Sequence, residues 1–459
     1  MPCNHPSFKK RKNTAAANLA PCDATPRDEH IQILGTPSRP SPMPFCQFVP
    51  DELYPFYLNN NLLGGEDASP RLFNFELAGA RQNIFFNPAK TRCAIVTCGG
   101  LCPGINDVIR AIVMQAHHNY GVAKVLGVRY GLQGFIPEYG HEIIELDPQN
   151  VRNIQEFGGT ILGTSRGPQD PARILDRLIE LDVNILFVIG GDGSLKAAAA
   201  IAKEAARRKA TLAVIGIPKT IDNDINFIAQ SFGFETAVEK ATEAIQCAHT
   251  EALGAPYGLG LVKLMGRESG FIAAQATLSS REVNFVLTPE VEFTLNGHGG
   301  FLPALAARLK ERCHAVVVLA EGAGQHLLVR AQETDASGNR VLADIATYLQ
   351  AEIKSYLQKH NLPVSIKYID PSYIIRSVPA NSEDSVYCGL LGQYAVHAAM
   401  AGKTEMVVAK LMDQYVHLPL ELVTRCRRRL NISSDYWRTV LETTGQSNLA
   451  GMLINCPLR

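Results

Sequence analysis

The stretch ILFVIGGDGSLKAAAAIAKEAARRKATLAVIGIPKTIDND (185–224) predicts a strand, a helix and a second strand, and it indicates the fold class of the chain. Two apolar runs, 185–191 and 212–218, flank a helical segment rich in alanine, and each run ends in glycine or polar residues. Short apolar runs that alternate with helices are typical of parallel strands covered on both faces of a sheet. The stretch therefore predicts an α/β fold.

The same alternation continues on both sides of this unit. Further strands are predicted at 93–98, 124–130, 259–265, 315–322, 366–370 and 405–410, and helices at 106–118, 235–249 and 342–360. Two α/β units of similar size would fit this pattern. Residues 1–90 are polar with weak periodicity, and we expect a disordered start followed by an extension that packs on the main body from about Phe48.

Charge and composition argue against several classes of protein. Lys+Arg and Asp+Glu both number 44, so the formal net charge is zero and no overall field attracts nucleic acid or an anionic membrane. No apolar run reaches the roughly 20 residues that a membrane span needs. The four cations at 9–12 are interpreted as part of a solvated tail. We expect no nucleic-acid and no membrane partner.

The cysteines indicate a reduced, cytoplasmic chain rather than a disulfide framework. There are 11 of them, an odd number, scattered along 459 residues. Cys93, Cys98 and Cys102 lie close together in sequence, but no CxxC pair or nearby histidine completes a zinc site.

Two glycine-rich loops have the composition of anion-binding turns. CGGLCPGIN (98–106) joins a predicted strand to a helix, and GGTILGTSRG (158–167) brings Arg166 beside two pairs of small residues. Backbone N–H groups at such turns and at helix N-termini can bind anions. Either loop is equally compatible with an ordinary tight turn.

The GGDGS sequence (190–194) is more specific because it ends a strand and opens a helix. Its glycines permit close approach of a ligand, and we expect Ser194 to cap the helix. A carboxylate at a site arranged for anions, as Asp192 would be, makes sense if a divalent cation lies between it and phosphate oxygens.

The PKTIDND sequence (218–224) places Lys219, Thr220, Asp222 and Asp224 at the end of a strand. Carboxylates at i and i+2 would point the same way if the chain is extended, and a lysine and a metal would relieve their repulsion. One carboxylate could serve as a general base for a hydroxyl. A polar loop with Asx turns is the alternative.

Three later loops supply groups that bind a sugar or a phosphate. Arg267 follows a strand and a helix is expected near Glu268, Glu321 ends another strand, and Tyr373 and Arg376 would share a face if helical. Each loop alone is as compatible with a structural role. Together the seven loops match what phosphoryl transfer to a phosphorylated sugar needs: anion clamps, a divalent cation and a proton-accepting aspartate.

These residues also resemble a known family. GGDGS (190–194), PKTIDND (218–224), MGR (265–267) and YIIR (373–376) are similar, in order and spacing, to motifs of the phosphofructokinase family. RQNIFFNPAKTRCAIVTCGGLCPGIND (81–107) resembles the long-chain clade with plant, protist and bacterial ATP-using members. The resemblance implies two Rossmann-like three-layer α/β/α domains with mostly parallel sheets. It also implies ATP-dependent phosphorylation of fructose 6-phosphate at its 1-hydroxyl, with Mg²⁺ as cofactor.

The resemblance assigns roles by position. It implies a general base at Asp222, with Lys219, Thr220 and Asp224 beside it, and a metal ligand at Asp192. The implied ATP site comprises Gly99, Arg166, Gly167, Gly191, Asp192, Gly193 and Ser194. The implied sugar-phosphate site comprises Thr220, Ile221, Asp222, Met265, Gly266, Arg267, Glu321, Tyr373 and Arg376.

Two positions bear on the phosphoryl donor, because some members of the family use pyrophosphate. Those members are similar in having a lysine like Lys219, but they have an aspartate where this chain has Gly193. A carboxylate there would repel the α-phosphate of a nucleotide, so Gly193 favours ATP. Arginines that contact a neighbouring subunit's sugar phosphate in short bacterial members align with Gly258 and Lys367, which leaves that contact and its allosteric control in doubt.

The expected organisation follows from the resemblance. A nucleotide-binding domain is expected at 91–233 plus 375–426, and a sugar-phosphate-binding domain with a C-terminal segment at 234–374 plus 427–459. A cytoplasmic homo-oligomer, a dimer or a tetramer, is expected. A pyrophosphate-dependent enzyme is one alternative, and a non-catalytic sugar-phosphate or nucleotide sensor is another, although the retained Asp222 and Asp192 speak against the sensor.

Overall fold

The computed structural model describes residues 27–43, 47–58, 71–328 and 341–446. The predicted disordered start and its cations at 9–12 lie outside the described residues. The strands are β1 (Arg27–Asp28), β2 (Gln32–Ile33), β3 (Arg39–Pro40), β4 (Leu53–Leu58), β5 (Arg71–Leu77), β6 (Asn83–Ile84), β7 (Arg92–Thr97), β8 (Lys124–Val128), β9 (Ile143–Leu146), β10 (Ile185–Gly190), β11 (Ala213–Pro218), β12 (Gly258–Leu264), β13 (Phe285–Leu287), β14 (His314–Ala320), β15 (Ser365–Ile369), β16 (Lys403–Thr404), β17 (Met406–Leu411) and β18 (Gln414–Pro419). The helices are α1 (Ile105–Met114), α2 (Pro171–Glu180), α3 (Asp192–Arg207), α4 (Phe234–Leu253), α5 (Phe271–Ser280), α6 (Phe301–Arg312), α7 (Ile345–Lys359), α8 (Ser382–Met400), α9 (Leu420–Thr424) and α10 (Asp435–Thr444).

The strands and helices predicted from the sequence are present. The eight predicted strands correspond to β7, β8, β10, β11, β12, β14, β15 and β17. The helix predicted at 106–118 is α1, and its last turn continues as a π-helical segment, Gln115–Tyr120. None of the helices described is long and apolar enough to cross a membrane.

The larger sheet has ten strands in the order β1-β5-β18-β17-β11-β10-β7-β8-β9, with β4 paired to β5. Its centre, from β17 through β11, β10 and β7 to β8, is parallel, whereas β9 and β18 are antiparallel to their inner neighbours. Strands β4 and β5 of the N-terminal extension join this sheet through β18. The prediction that the extension packs on the main body is thereby confirmed.

The smaller sheet consists of four parallel strands in the order β13-β14-β12-β15. Parallel strands need helical crossovers, and α5, α6 and α7 lie between these strands along the chain. Both sheets therefore conform to the predicted α/β class. The residue boundaries of the two predicted domains stay a prediction.

Both faces of the larger sheet are buried, as alternate residues of β10 illustrate. Ile185, Phe187 and Ile189 belong to one hydrophobic cluster, here called the central cluster. Leu186 and Val188 belong to a second cluster on the opposite face. Side chains of a strand point alternately to its two faces, so this division identifies a three-layer arrangement.

The central cluster also covers one face of the smaller sheet. It contains Val262 and Leu264 of β12, whereas Leu259 and Leu261 face a third cluster. Residues of α1, α4, α5 and α8 belong to the central cluster as well. One continuous apolar core therefore lies between the two sheets.

A cluster of charged and polar groups holds the N-terminal extension against β16 and β18. Lys403 Nζ lies 2.6 Å from Glu76 Oε2 and 2.9 Å from Asp51 Oδ1, and Arg81 Nε lies 2.7 Å from Asp51 Oδ1. The fully buried His417 contacts Glu76 Oε2 through Nδ1 at 3.3 Å. Burial would raise the pKa of Glu76, but His417 and Lys403 overcome it and hold that pKa at about 2.

A second buried carboxylate, Asp384, anchors the start of α4. It accepts hydrogen bonds from the backbone N–H groups of Gly233 and Thr236, both at 2.8 Å, and from Thr236 Oγ1 at 2.6 Å. These bonds satisfy N–H groups that a helix leaves unpaired at its N-terminus. Asp384 thus joins α8, on which it lies, to α4 directly behind the PKTIDND loop.

Candidate active site

The loops that the sequence singled out meet at the carboxyl ends of β7, β10 and β11. The Cys98 N–H donates to Ile189 O at 2.9 Å and the Lys219 N–H donates to Gly190 O at 3.0 Å, so the three strand ends are aligned. Thr164 Oγ1 donates to Gly99 O at 2.6 Å. This bond fixes the 158–167 loop beside the first glycine loop, and carboxyl edges of this kind hold ligands in doubly wound sheets.

Three cations surround the glycines of the first loop. Lys219 Nζ donates to Gly100 O at 2.5 Å, and a Cβ built on Gly100 would lie 3.6 Å from Arg376 Nη1 and 3.9 Å from Arg166 Nη2. Burial lowers the pKa of Lys219, and the charges of Arg166 and Arg376 lower it further. The two guanidinium groups and this ammonium group form a local positive site, here called the anion pocket, on a chain without net charge.

The GGDGS loop leads into α3, and its details differ from the prediction in one respect. The helix begins at Asp192 and its N-cap is Gly191, with no side-chain cap bond, so the prediction that Ser194 caps the helix is wrong. Ser194 lies in the first helical turn because the helix starts two residues earlier. A Cβ added to Gly193 would meet no atom within 4 Å, so this position is open.

Asp192 lies at the N-terminus of α3 with its side chain only 12% exposed. Its Oδ2 lies 2.9 Å from Lys196 Nζ and 3.6 Å from Arg427 Nε. The carboxyl group therefore lies beside two cations. Arg427 belongs to the C-terminal segment and was not among the predicted site residues.

The PKTIDND loop is not extended, so the predicted geometry of its carboxylates is wrong in detail. Asn223 has φ +53°, a left-handed conformation that turns the chain between the two aspartates. The two carboxyl groups nevertheless interact, since the charge of Asp224 raises the pKa of Asp222. Thr220 Oγ1 donates to Asp224 Oδ1 at 3.1 Å and accepts from the Asp222 N–H at 3.1 Å.

Asp222 carries a carboxylate oxygen that has no partner. Its Oδ1 is buried and makes no hydrogen bond with any described residue. Burial raises the pKa of Asp222, and the charges of Asp224 and Glu321 raise it further, while Arg267 and Arg427 oppose them. A buried polar atom without a partner is costly, and such groups are typical of sites that await a ligand.

The sugar-side loops approach from the smaller sheet. The Glu321 N–H donates to Leu264 O at 2.9 Å and the Gly322 N–H donates to Gly266 O at 3.0 Å, which joins the ends of β12 and β14. Burial raises the pKa of Glu321, whereas the nearby charges of Arg267 and Arg376 lower it. Helix α5 starts at Phe271 rather than near Glu268, so Arg267 lies in a loop.

Arg376 connects the two sides of the site. Its guanidinium lies beside Gly100 in the anion pocket, it acts on the pKa of Glu321, and it stacks at 5.0 Å over the ring of Tyr373. Tyr373 is 74% exposed. The two residues precede or belong to a short 3-10 helix, Ile374–Arg376, which confirms that they share a face.

The remaining predicted site residues contribute through burial or backbone conformation rather than through charged side chains. Ile221 is buried in the central cluster, so only its backbone is available to a ligand. Met265 is partly buried and packs against the same cluster. Gly167 adopts φ +96°, a conformation that favours glycine, beside the exposed Arg166.

The structure also permits a test of the metal prediction. Within the described ranges, no three His, Cys, Asp or Glu side chains are arranged to hold a metal ion. Burial raises the pKa of Cys93 to about 12, which keeps it a thiol. Mg²⁺ is commonly held by one or two carboxylates with substrate phosphates, and Asp192 beside the anion pocket fits that mode.

Comparison with known proteins gives a consistent result. The phosphofructokinase family model matches residues 92–399. The chain is 49% identical over 378 residues to the ATP-dependent 6-phosphofructokinase of Borreliella burgdorferi, covering 81% of this chain and 85% of the relative. It is 47% identical to the Amycolatopsis methanolica protein of the same name, covering 81% and 83% of the two chains.

Solved structures agree on the fold. A pyrophosphate-dependent phosphofructokinase from Marinobacter aquaeolei superposes with a TM-score of 0.63 at 21% identity, covering 79% of this chain and 92% of the other. Pichia pastoris phosphofructokinase in the T-state gives 0.60 at 23% identity, covering 79% of this chain and 38% of the other. Likenesses at this level of identity concern the fold alone.

Proposed function

Because the chain belongs to the phosphofructokinase family, we propose that its active site lies where the anion pocket, Asp192 and Asp222 meet. The chain is an ATP-dependent 6-phosphofructokinase, a phosphotransferase with an alcohol acceptor. Its substrates are ATP and fructose 6-phosphate. The observation that carries the site assignment is the buried, unpartnered Oδ1 of Asp222, two residues before Asp224 and three after the buried Lys219.

In the proposed reaction, Asp222 accepts the proton of the sugar 1-hydroxyl. The hydroxyl oxygen forms a bond to the γ-phosphorus while the bond from that phosphorus to the β–γ bridging oxygen breaks, and ADP leaves. A raised pKa suits this role, because a base acts best when its pKa lies near the working pH. Glu321 and Arg267 hold the sugar, and the Asp222 N–H bond to Thr220 Oγ1 keeps the loop in place.

The anion pocket holds the transferred phosphoryl group. Lys219, Arg166 and Arg376 carry the positive charge that must offset charge on the equatorial oxygens as the group moves. Asp192 would hold Mg²⁺, which would supply further neutralisation of the phosphate charge when bound. Gly191 and the first turn of α3 receive the nucleotide phosphates at a helix N-terminus.

The preference for ATP over pyrophosphate is assigned to Gly193. The open space around its α-carbon leaves room for the part of a nucleotide beyond the transferred phosphate. A carboxylate at this position would occupy that space and repel the α-phosphate. Lys219 is shared with pyrophosphate users by resemblance and so does not distinguish the donors.

One experiment tests the proposed function directly. Production of fructose 1,6-bisphosphate is measured in a coupled assay with ATP and with pyrophosphate side by side, at saturating fructose 6-phosphate. We expect turnover with ATP and little with pyrophosphate. Turnover only with pyrophosphate would establish the alternative donor, and turnover with neither would favour a sensor. The proposed homo-oligomer, a dimer or a tetramer, is tested separately by analytical ultracentrifugation, and the proposed cytoplasmic location by cell fractionation.

A further inference from the structure

The segment 427–430, near the C-terminus of the described chain, is built into the catalytic loop. The Arg428 N–H donates to Asp224 O at 2.8 Å, and Arg427 forms an antiparallel bridge with Ile225. The Arg428 guanidinium donates from Nη1 to Ala229 O at 2.8 Å. This segment lies outside residues 92–399, which the family model matches.

Arg427 reaches from this segment into the site and links its two sides. Its Nε lies 3.6 Å from Asp192 Oδ2, on the nucleotide side. Its Nη1 lies 3.5 Å from Glu268 Oε1, in the loop that follows Arg267 on the sugar side. The side chain is 29% exposed, so these pairs are shielded from solvent more than ordinary surface ion pairs.

The charge of Arg427 also acts on both aspartates of the PKTIDND loop, Asp222 and Asp224. Burial raises the pKa of Asp224, and the strongest opposing effect comes from Arg427. The same residue lowers the pKa of Asp222. This fixed cation stabilises the ionised forms of Asp222 and Asp224. It also repels any second cation that approaches Asp192, with which it forms an ion pair.

We propose that Arg427 is a positioning residue: until the nucleotide binds, its guanidinium supplies the positive charge beside Asp192 that the metal supplies afterwards. This inference rests on the proposed function of Asp192 as the metal ligand. A free divalent cation must compete with Arg427 and Lys196 for the same oxygen, Asp192 Oδ2, and therefore binds weakly. A metal that enters with the nucleotide brings phosphate charge, which attracts the guanidinium and releases the carboxylate.

The test measures binding of Mn²⁺ alone to the full chain, without nucleotide or sugar, from the electron paramagnetic resonance signal of the free ion. Arg427→Gln is expected to bind Mn²⁺ at least about fivefold more tightly than the parent, because a repelling charge only a few ångströms away is removed. Arg427→Lys keeps the charge and is expected to stay within about twofold of the parent. A purely structural role predicts equal or weaker binding in Arg427→Gln, and that result would overturn the proposal.

Arg429 supplies the matched control. It pairs with the same Glu268, at 3.5 Å, but is 64% exposed, and this pair does not involve Asp192. Arg429→Gln is expected to leave Mn²⁺ affinity unchanged. If Arg427→Gln lowers the melting temperature strongly, Arg427→Met, which keeps the length of the side chain, must show the same tightening, and its failure to do so would refute the idea.

Kinetics provide a second readout. With saturating ATP and Mg²⁺, Arg427→Gln is expected to lower kcat by about tenfold or more, with the KM for fructose 6-phosphate changed by less than about threefold. A change confined to that KM would contradict the assigned role. Absence of kinase activity in the parent would refute the proposed function. The Mn²⁺ affinities of the parent and the Arg427 variants would still decide the role of Arg427 at Asp192.

Discussion

Replacing Asp222 by serine should separate catalysis from stability. The change removes the carboxylate that we assign as general base, so turnover should fall by on the order of 10² to 10⁴ fold, the usual contribution of such a group. The same carboxylate destabilises the unliganded fold, because Oδ1 is buried without a partner and Asp224 and Glu321 repel the charge. Its removal should therefore not weaken the protein.

The size of the second effect follows from the contacts. A buried polar atom that has lost its hydrogen bonds to water costs about 1–3 kcal/mol. The Thr220 bond to the Asp222 backbone and the Ser269 Oγ bond to Asp222 O, at 2.9 Å, do not involve the side chain and survive the substitution. We expect the free energy of unfolding to rise by roughly 1 kcal/mol or more, with a higher melting temperature.

Turnover is measured in the coupled assay, and stability by chemical and thermal unfolding of the same preparation. The KM for fructose 6-phosphate should change little. Wild-type turnover in Asp222→Ser would remove the role of general base. A melting temperature that drops by several degrees would refute the claim that the buried carboxylate of Asp222 destabilises the fold, even if turnover were lost.

Three further predictions address the donor, the fold and its pH dependence. Gly193→Asp should reduce kcat/KM with ATP by at least tenfold more than with pyrophosphate, since the added carboxylate acts on the α-phosphate (about 1.4 kcal/mol per tenfold change); equal losses in the two assays would contradict the steric argument. Asp384→Asn should lower stability by about 2–4 kcal/mol in chemical unfolding, because the neutral amide cannot accept all three hydrogen bonds at the start of α4, and an unchanged midpoint would argue against that anchor. As the pH falls below 6.5, the fold should lose stability in two stages. In the first, His417 becomes protonated in the unfolded state but not in the folded state, where burial lowers its pKa to about 4. In the second, between pH 4.5 and 2, the stabilisation from the ionised Glu76 is lost as that carboxylate is protonated. Glu76→Gln should flatten the lower stage in a pH series of unfolding curves, and an unaltered pH profile would contradict this assignment.

Buried parallel strands were predictable because their composition is nearly uniform. Every residue of β10 and of β11 is buried, and this leaves the apolar runs that the sequence displays. β18 carries the buried His417 and ends in a proline, and β4 contains Pro55, so neither shows that pattern. Both strands pair with β5, whose Glu76 forms an ion pair with Lys403, a residue far away in the sequence.

The site divides in the same way between local and tertiary signals. Lys219, Asp222 and Asp192 follow strands directly, so the rule on carboxyl ends of strands predicts their position. Arg427 lies in the run RCRRR (425–429), which by composition resembles a solvated surface segment. Tertiary contacts, among them the bridge to Ile225 and the bond to Asp224 O, bring this run into the site.

The start of α3 shows a limit of a different kind. The glycines of GGDGS allow the helix to begin at Asp192, and nothing in the sequence determines which residue is its first. The turn at Asn223 is similar, since asparagine tolerates the left-handed conformation without requiring it. The first residue of a helix and the position of a left-handed turn could therefore be established only from the three-dimensional structure.

The central cluster has a consequence for anyone who dissects this enzyme. The helices between the sheets bury their side chains against both sheets. The two α/β units therefore share one hydrophobic core. A fragment ending before α4 would expose the apolar surface that the rest of the chain covers in the full protein. Exposed apolar surface of this kind promotes aggregation. Swapping halves between relatives would meet the same obstacle, so engineering of donor choice belongs in the loops, where single residues can change without disturbing that shared interior.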